Sequence, residues 1–470
     1  GMVTMVQDGI LKAMDGVTSL EEVYHVIGKM DYVDDLYDIA TAKTLGRGLH
    51  LTKDNVKIGD NIAADFINSK ELISNYKTSE IINILVTSGI KTKASDIHID
   101  PTDKGVAIRF RIDGMLHNVT TLAKEHYVPL MNEIKQLSGF ATNIKKPTYD
   151  GRFAIYLPNN ERMDCRVSII SGGHGESAVL RILSQQPQTL DMGELGIRYK
   201  TLDIINEAVS QSRGIVINTG PTGSGKTTTL YSILNQLNKE DVKIITLEDP
   251  IEYNLNGVMQ TQIDKEAGYT FANALKSLMR QNPNIIMIGE IRDAETAQTA
   301  LEAALTGHLV LSTVHANSAA GAMVRLAELG IDRSVLANAL NCSVGQRLAR
   351  RLCPACKKEY QPPTAIKQRA QTIIENINSQ AKVTLPDKLT FYTSPGCPKC
   401  GGIGYQGRIG LFEAIPSNDE IKKLIQDKNS LDSDIEQTAA QAGFLSIEQD
   451  GVLKALSGDT SLEEVFRIIK

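Results

Sequence analysis

The sequence predicts an α/β protein whose central part is a parallel sheet with helices on both faces. From about residue 190, apolar strand-like segments at 214–218, 242–247, 285–289 and 309–313 alternate with helical stretches. This alternation is typical of parallel sheets. The chain has 470 residues, about three domains at ~150 residues per domain. Its 42% hydrophobic and 22% charged residues are typical of folded globular proteins.

Composition excludes several classes of protein. Lys and Arg total 50 against 55 Asp and Glu, Trp is absent and aromatic residues make up only 5%. This balance disfavours a nucleic-acid-binding protein, and we expect no nucleic-acid partner. The sequence has no run of ~18 apolar residues, so we expect no membrane span and a cytoplasmic location. Six cysteines are too few for a disulfide scaffold.

The two ends of the chain resemble each other. Residues 4–28 and 446–470 are identical at 14 of 25 aligned positions, and each predicts a helix, a glycine turn and a second helix. Thr18 and Thr460, each followed three residues later by Glu, fit a capping box that opens the second helix. Residues 1–30 are either a small helical element used twice or a mimic that competes for the docking site of the C-terminal copy.

The remaining domains follow in order along the chain. Residues 31–75 read as a linker region. Residues 76–188 are mixed α/β, with strand-like alternation at 106–112 and 163–169. The strand–helix series defines a core over 189–345. Two cysteine pairs mark an element at 346–415, and a helical C-terminal region follows at 416–470.

A glycine-rich loop carries the strongest functional signal. Gly220-Pro-Thr-Gly-Ser-Gly-Lys-Thr matches Gly-x-x-x-x-Gly-Lys-Ser/Thr and lies between an apolar strand and a helical stretch. Backbone N–H groups of such a loop surround phosphate, which predicts a P-loop nucleoside triphosphatase. We expect Lys226 to reach the β- and γ-phosphates and Thr227 to hold Mg²⁺. The residues assigned to nucleotide binding are Gly220, Pro221, Thr222, Gly223, Ser224, Gly225, Lys226, Thr227 and Thr228.

Acidic residues at two further strand ends are candidates for activating water. Glu290 ends the apolar segment 285–289, and the cluster Glu248, Asp249 and Glu252 ends another. Three acids so close repel each other unless a cation is near, and Mg²⁺-ATP would supply it. Either Glu252 or Glu290 is the expected base. His308 and His315 flank the segment 309–313, and histidine there would contact or sense the γ-phosphate.

Four motifs in this order resemble the secretion ATPase superfamily, the hexameric motors of type II secretion and type IV pili. They are the glycine loop, TLEDPIEY (246–253), MIGEIRDAETA (287–297) and TGHLVLSTVHANS (306–318). The resemblance covers about residues 76–470. It implies a RecA-like P-loop core, with Glu252 as the Asp-box acid, Glu290 as the Walker B glutamate and His315 as the functional His-box residue.

The segment before the core is similar to the PAS-like N-terminal domain of that family. The match rests on ASDIHID (94–100), RFRIDG (109–114), DGR (150–152) and RVS (166–168). In relatives this domain supplies arginines to the bound nucleotide, which implies that role for Arg152 and Arg166, with Arg181 as a further candidate. A guanidinium beside the transferred phosphoryl group accelerates its transfer.

The cysteine pairs predict a structural zinc site. Cys353-Pro-Ala-Cys356 and Cys397-Pro-Lys-Cys400 are two C-x-x-C knuckles with forty residues between them. Four thiolates close a tetrahedral Zn²⁺ site with no open position. The resemblance agrees, since such an element marks the secretion and pilus-assembly branch and is absent from the retraction branch. Cys165 and Cys342 are expected to be core thiols.

The predicted function is therefore a homohexameric cytoplasmic ATPase that drives a type II secretion pseudopilus or a type IV pilus. The family resemblance implies partners among inner-membrane platform and assembly proteins, with peripheral membrane association through them. A pilus-retraction or conjugative traffic ATPase, a RecA-like nucleic-acid translocase and a nucleotide-gated scaffold are the alternatives. The basic stretch 347–351 is read as a solvated helix face rather than a contact to a subunit or a membrane partner.

Overall fold

The computed structural model describes residues 5–19, 22–23, 26, 48–64, 66, 78–142, 146–159, 161–183, 190–386 and 388–469. The chain divides into two compact units, each with its own seven-stranded sheet. Unit 1 comprises residues 1–62, 69–112 and 116–184, and unit 2 comprises residues 63–68, 113–115 and 185–470. Among the described residues, none of the helices combines the length and apolar character needed to cross a bilayer.

Unit 1 contains a largely antiparallel sheet with the order β1-β5-β6-β7-β2-β3-β4. Its strands are β1 (Leu49–His50), β2 (Ala94–Thr102), β3 (Gly105–Ile112), β4 (Met115–Leu122), β5 (Thr148–Tyr156), β6 (Arg162–Gly172) and β7 (Gly175–Leu183). β1 pairs with β5 in parallel, whereas β2 pairs with β3 and β7, and β6 with β5 and β7, in antiparallel fashion. The alternation predicted at 106–112 and 163–169 is thus confirmed as strand.

The described part of unit 1 also contains α-helices. They are α1 (Met5–Met14), α2 (Lys53–Ala64), α3 (Thr78–Lys91) and α4 (Tyr127–Leu137). Alternate residues such as Ile97 and Phe110 are fully buried, as the two-residue period of a strand requires. α3 approaches β2 closely at Gly89, where a Cβ would lie 2.9 Å from Ile97 Cδ1. The positions between these buried residues carry polar side chains of the N-terminal motifs, such as Asp96 and Arg111. These polar side chains therefore share the other face of the sheet.

Unit 2 contains a mixed sheet with the order β10-β9-β11-β12-β8-β13-β16. Its strands are β8 (Gly214–Thr219), β9 (Ile244–Glu248), β10 (Met259–Gln262), β11 (Ile285–Ile288), β12 (Leu309–Val314), β13 (Leu340–Leu352) and β16 (Tyr405–Pro416). Neighbouring strands are parallel except that β16 runs antiparallel to β13. The four predicted core strands are confirmed, and the antiparallel edge strand is an addition.

Helices pack on both faces of the unit 2 sheet, as predicted. They are α5 (Tyr199–Ser210), α6 (Lys226–Leu237), α7 (Phe271–Leu278), α8 (Ala294–Leu305), α9 (Ala319–Glu328), α10 (Arg333–Ala339), α11 (Thr364–Glu375), α12 (Asp419–Gln426), α13 (Asp432–Gln441), α14 (Ile447–Leu456) and α15 (Leu462–Ile468). Ile215 and Ile217 of β8 face a core formed with α7–α10. Val216 faces the other core, formed with α5 and α6.

The segment between β13 and β16 holds the cysteine pairs and a small two-stranded sheet. This sheet pairs β14 (Lys358–Tyr360) with β15 (Phe391–Thr393), and α11 lies between them in sequence. Phe391 is buried in a third apolar core that also contains residues of α11, α14 and α15. The C-terminal helices are therefore packed into the same unit as the sheet.

Three expectations from the sequence need correction. The region 31–75 is not only a linker, because it contains β1 and α2, and β1 pairs with β5 in the unit 1 sheet. The expected boundary at residue 345 falls inside β13, which continues to Leu352 because it pairs with β16 from Cys342 to Leu352. The residue that caps the last helix is Ser461, which accepts a hydrogen bond from the Glu464 N–H, whereas the Thr460 hydroxyl donates to the Arg350 carbonyl.

Candidate functional site

The glycine-rich loop lies at the carboxyl edge of the unit 2 sheet. It connects β8 to α6, which begins at Lys226. Gly220 has φ 152°, and a Cβ there would lie 2.3 Å from the Gln346 carbonyl oxygen, so a side chain is excluded. Gly225 caps α6 with φ 86°, in the left-handed region that favours glycine. The sequence pattern therefore reflects two positions where the backbone admits only glycine without strain.

Lys226 reaches back over this loop. Its Nζ donates hydrogen bonds of 2.9 and 3.1 Å to the carbonyl oxygens of Gly220 and Pro221. Burial lowers the pKa of Lys226, while the negative charge of Glu290 acts in the opposite direction. The loop carbonyls thus hold the ammonium group, and Glu290 is near enough to act on its charge.

The loop has the properties of an anion site. The buried Oγ of Ser224 has no hydrogen-bond partner among the described residues, although such groups are nearly always paired. A Cβ at Gly223 would meet no atom within 4 Å, so the loop is open on that side. The N-terminus of α6 adds positive potential. These residues fit a polyphosphate, with Thr227 next to Lys226 as the expected Mg²⁺ ligand.

Glu290 and His315 meet at the same edge of the sheet. Glu290 follows β11 and His315 follows β12. These two strands are adjacent and parallel, and β12 is also parallel to β8, so all three strands end at the same edge of the sheet. His315 Nε2 lies 3.4 Å from Glu290 Oε2, and an Arg292 amino nitrogen lies 2.5 Å from Oε1. Glu290 is largely buried, with 14% of its side chain exposed. The structure thus brings together Lys226, Glu290 and His315.

The acid cluster at the end of β9 separates into three environments. Glu248 is buried, accepts hydrogen bonds from Thr246 (2.6 Å) and Gln260 (3.0 Å), and contacts the Tyr231 hydroxyl. Asp249 pairs with Lys265 at 3.0 Å. Glu252 is exposed. Partners within the chain thus satisfy Glu248 and Asp249, so the expected repulsion does not by itself require Mg²⁺-ATP.

His308 does not belong to this site. It precedes β12 and lies at the amino edge of the parallel strands, opposite the glycine loop. Its Nδ1 contacts the Ala303 carbonyl oxygen at 3.0 Å. His308 and His315 are close in sequence because they stand at the two ends of β12. In the structure, the length of that strand separates them.

Sequence reasoning missed Gln346 on β13. Its Oε1 is buried and accepts hydrogen bonds of 2.9 Å from Asn218 Nδ2 and from the Thr229 hydroxyl. The same side chain lies beside Gly225. Gln346 therefore joins the end of β8 to the first turn of α6, on either side of the glycine loop. No local signal in the sequence marks it, because β13 was not predicted as a strand and Gln346 meets Asn218 and Thr229 only in the folded chain.

The basic stretch 347–351 is strand rather than helix, because it belongs to β13. Arg347 donates a 2.6 Å hydrogen bond to the Asn317 carbonyl oxygen, just beyond His315. Arg350 pairs with Glu464 at 2.7 Å, and Arg351 donates to the Glu194 carbonyl oxygen. These contacts lie within unit 2, so the expected solvated helix face is wrong.

The arginine candidates lie in unit 1, in one row across its sheet. Arg152 lies directly opposite Arg166, and Arg166 opposite Arg181. The row continues to Asp96 and then to Arg111. Asp96 contacts Arg181 at 2.8 Å and Arg111 at 3.3 Å. Burial raises the pKa of Asp96, but the two arginines and the Ser95 hydroxyl lower it by more, so the pKa lies below its usual value.

This row explains the spacing of the N-terminal motifs. Residues directly opposite on paired strands share a face, so four guanidinium groups share it with one carboxylate. Like charges directly opposite each other are unfavourable without a counter-ion. The row is therefore a region of positive potential that attracts anions.

The four cysteines of the two knuckles form one cluster. Their Sγ atoms all lie within 4.8 Å of one another, and the Cys353–Cys397 and Cys356–Cys400 pairs are 3.9 Å apart. Tetrahedral zinc with Zn–S bonds of about 2.3 Å requires S···S distances of about 3.8 Å. Burial raises the pKa of Cys400, but hydrogen bonds from the Cys397 and Gly404 N–H groups lower it to about 7. The cluster fits zinc.

Unit 2 has the architecture of a P-loop α/β protein. The sequence model of the family "Type II/IV secretion system protein" matches residues 73–467. The chain is 41% identical over 392 residues to a type IV pilus assembly ATPase, PilB, of Myxococcus xanthus, covering 82% of this chain and 67% of the relative. It is 38% identical over 394 residues to the type II secretion system ATPase E of Vibrio cholerae, covering 83% and 75%.

Solved structures agree on the fold. The Legionella pneumophila ATPase DotB matches with a TM-score of 0.60 at 22% identity, over 84% of this chain and 96% of that one. The pilus retraction motor PilT with bound ADP matches with a TM-score of 0.52 at 25% identity, over 84% and 97%. The chain belongs to the type II/IV secretion system protein family, and it is an ATPase.

Proposed function

We propose that this chain is a homohexameric motor that hydrolyses ATP to assemble a type II secretion pseudopilus or a type IV pilus. Unit 2 supplies a RecA-like core and unit 1 a PAS-like domain. The observation that carries the proposal is the convergence of Lys226, Glu290 and His315 beside the glycine loop. The names of the relatives at 38–41% identity support the assembly role.

Each group at the site has a separate task in this proposal. Lys226 and the loop amides bind the β- and γ-phosphates of ATP, and Thr227 would hold Mg²⁺, which would supply positive charge beside those phosphates. Glu290 orients or deprotonates the attacking water, with Glu252 as the alternative base. The contact between His315 and Glu290 positions the carboxylate and couples it to the loop that carries His315.

Arginines of unit 1 complete the proposed reaction. Arg152 and Arg166 would stabilise charge on the transferred phosphoryl group, because a guanidinium is a fixed cation with several donors. A ligand bound by both units would favour one relative orientation before hydrolysis and another after it. That difference is the basis of the proposed mechanical work on inner-membrane partners, with which the chain associates peripherally.

The cysteine cluster favours assembly over retraction. The family resemblance assigns such an element to the assembly and secretion branch, and the four Sγ atoms are close enough to share one Zn²⁺. Zinc there would have a structural role, since four thiolates leave no open coordination position. The net charge of −5 supports a protein rather than a nucleic-acid partner.

The experiment compares ATP turnover and ATP binding in single variants. Glu290→Gln is expected to lower turnover at least about 100-fold with ATP affinity retained, because general-base catalysis contributes about 10²–10⁴-fold. Lys226→Ala is expected to lose both. Glu295→Gln, an exposed carboxylate on the adjacent helix, is the matched control and should turn over normally. Full activity of Glu290→Gln would refute the proposed role of Glu290.

A further inference from the structure

The two ends of the chain repeat a structure as well as a sequence. We call the described residues between 5 and 26 the N-terminal hairpin and residues 447–468 the C-terminal hairpin, and equivalent positions differ in numbering by 442. A Cβ at Gly9 would lie 2.8 Å from Val23 Cγ1, and one at Gly451 would lie 2.7 Å from Val465 Cγ1. The turn glycines have φ values of 73° and 69°. Gly9 therefore approaches Val23 as closely as Gly451 approaches Val465.

Caps follow the same correspondence. Ser19 accepts a 3.2 Å hydrogen bond from the Glu22 N–H, and Ser461 accepts one of 3.2 Å from the Glu464 N–H. The described residues of the N-terminal hairpin thus reproduce the turn, the cap and the helix contact of its counterpart.

The C-terminal hairpin is held in unit 2 by a set of polar anchors. Asp450 and Lys454 form a buried ion pair. Asp450 accepts a 2.7 Å hydrogen bond from the Phe412 N–H, and Lys454 donates one of 2.7 Å to the Gly410 carbonyl oxygen. We call the surface that receives this hairpin the seat, formed by Arg350, Phe391, Gly410, Phe412 and α11.

The third anchor is Glu464, which is fully buried. It accepts hydrogen bonds from Arg350 and from Arg467, which belongs to the same helix. These contacts lower the pKa of Glu464 to about 2, although burial acts in the opposite direction. The seat therefore selects a hairpin with Asp, Lys and Glu at three fixed positions.

The N-terminal hairpin carries the same three anchors in exposed positions. Asp8 and Lys12 form a 2.7 Å ion pair, and more than half of each side chain is exposed. Glu22, the counterpart of Glu464, is also exposed. An exposed helix pair needs no such set, because its polar groups are satisfied by water.

The apolar side chains differ in burial in the same way. Met5, Leu11 and Met14 are exposed by 76%, 52% and 63%. Their counterparts Ile447, Leu453 and Leu456 are exposed by no more than 9%, and the last two contribute to the core that contains Phe391. Among the described residues, the first helix of the N-terminal hairpin thus exposes apolar side chains whose counterparts are buried.

We propose that the N-terminal hairpin is an interaction surface for a second copy of this chain, and that it docks in the seat of that copy in place of the C-terminal hairpin. The resident hairpin is favoured because it is tethered beside its seat. Exchange therefore populates a minor state in which one chain reaches into the next. Such a head-to-tail contact links successive subunits and closes into a ring where the rotation allows it.

The experiment locates the N-terminal hairpin in the full-length chain by photo-cross-linking. Met14 is replaced by p-benzoylphenylalanine, and equal amounts of ¹⁴N- and ¹⁵N-labelled chain are mixed before irradiation. Mass spectrometry is expected to find mixed-isotope cross-links from position 14 to α11 or to the strand at 391–393. Cross-links that map to other surfaces, or only within one chain, would overturn the proposal.

Two equivalent substitutions then test the competition. Val465→Ala weakens the resident hairpin and is expected to raise the intermolecular yield about tenfold, because removing buried methyl groups shifts the balance by about that factor. Val23→Ala weakens the competing hairpin and should lower the yield by a similar factor. The control Asp15→Asn, at an exposed position outside the three anchors, should change nothing.

Opposite effects of equivalent substitutions are specific to competition for one seat. If Val465→Ala does not fold, Val23→Ala and the cross-link map still decide the question. An unchanged yield in Val23→Ala would contradict the proposal. The readout does not depend on ATP turnover, so it is independent of the proposed function.

Discussion

At the scale of single residues, a few side chains decide whether the glycine loop has its shape. The Gln346 carbonyl oxygen leaves no room for a side chain at Gly220, because a Cβ there would lie 2.3 Å from it. The Gln346 side chain accepts hydrogen bonds from both sides of the loop. The loop is therefore shaped by β13 as well as by its own sequence.

Replacing Gln346 with Met should loosen this arrangement. The Asn218 amide and the Thr229 hydroxyl would each lose a buried acceptor, at a cost of about 1–3 kcal/mol per group. We expect a lower Tm and an ADP affinity weakened about tenfold, measured by thermal unfolding and calorimetry. Gln298→Met, on an exposed helix face, is the control. Unchanged affinity together with a lower Tm would restrict Gln346 to a purely structural role.

At the scale of secondary-structure elements, strand ends assemble the site. Glu290 and His315 follow adjacent parallel strands, and this adjacency allows their contact at 3.4 Å. The cysteine knuckles follow β13 and precede β16. The knuckles therefore lie where β13 ends and β16 begins, beyond the domain boundary predicted at residue 345.

Loss of one cysteine ligand should therefore affect stability more than nucleotide binding. Cys400→Ser is expected to abolish stoichiometric zinc, measured by atomic emission, and to reduce the stability of unit 2 by about 3 kcal/mol, because structural zinc binding contributes to folding. Cys165→Ala, a buried thiol of unit 1 outside the cluster, should retain the metal. Full zinc content in Cys400→Ser would show that the site lies elsewhere.

At the scale of the whole molecule, the proposed reaction needs both units. Unit 2 holds the glycine loop and Glu290, while the row of arginines lies on the unit 1 sheet. Arg166 is central in that row, opposite Arg152 on one side and Arg181 on the other. Catalysis would then depend on a unit that is not needed to form the loop itself.

Removing one arginine tests this division. Arg166→Ala is expected to lower kcat about 10³-fold, as for arginines that stabilise phosphoryl transfer, with little change in ADP affinity. Arg162→Ala, on the same strand but paired with Asp164, is the matched control. An equal effect of both substitutions would indicate loss of structure rather than loss of a catalytic cation.

The sequence by itself determined the elements whose signals are local. Gly220 and Gly225 mark backbone geometry, the alternating apolar segments mark strands, and the four cysteines mark metal-ligand chemistry. Periodicity and side-chain chemistry are properties of residues close together in sequence, so the amino-acid sequence alone is enough to recognise them. The family resemblance added roles for Glu252, Glu290, His315, Arg152 and Arg166, which remain predictions.

Only the tertiary structure decided what depends on pairing between distant segments. It assigned 347–351 to a strand, placed His308 at the opposite edge from His315, and joined Gln346 to the glycine loop across 128 and 117 residues of sequence. It also buried Ile447, Leu453 and Leu456 of one terminal repeat and left their counterparts Met5, Leu11 and Met14 exposed. Similar local sequences share a turn, a cap and a close glycine–valine contact in the described residues, but burial depends on the surface that meets them, and that surface is built by distant parts of the chain.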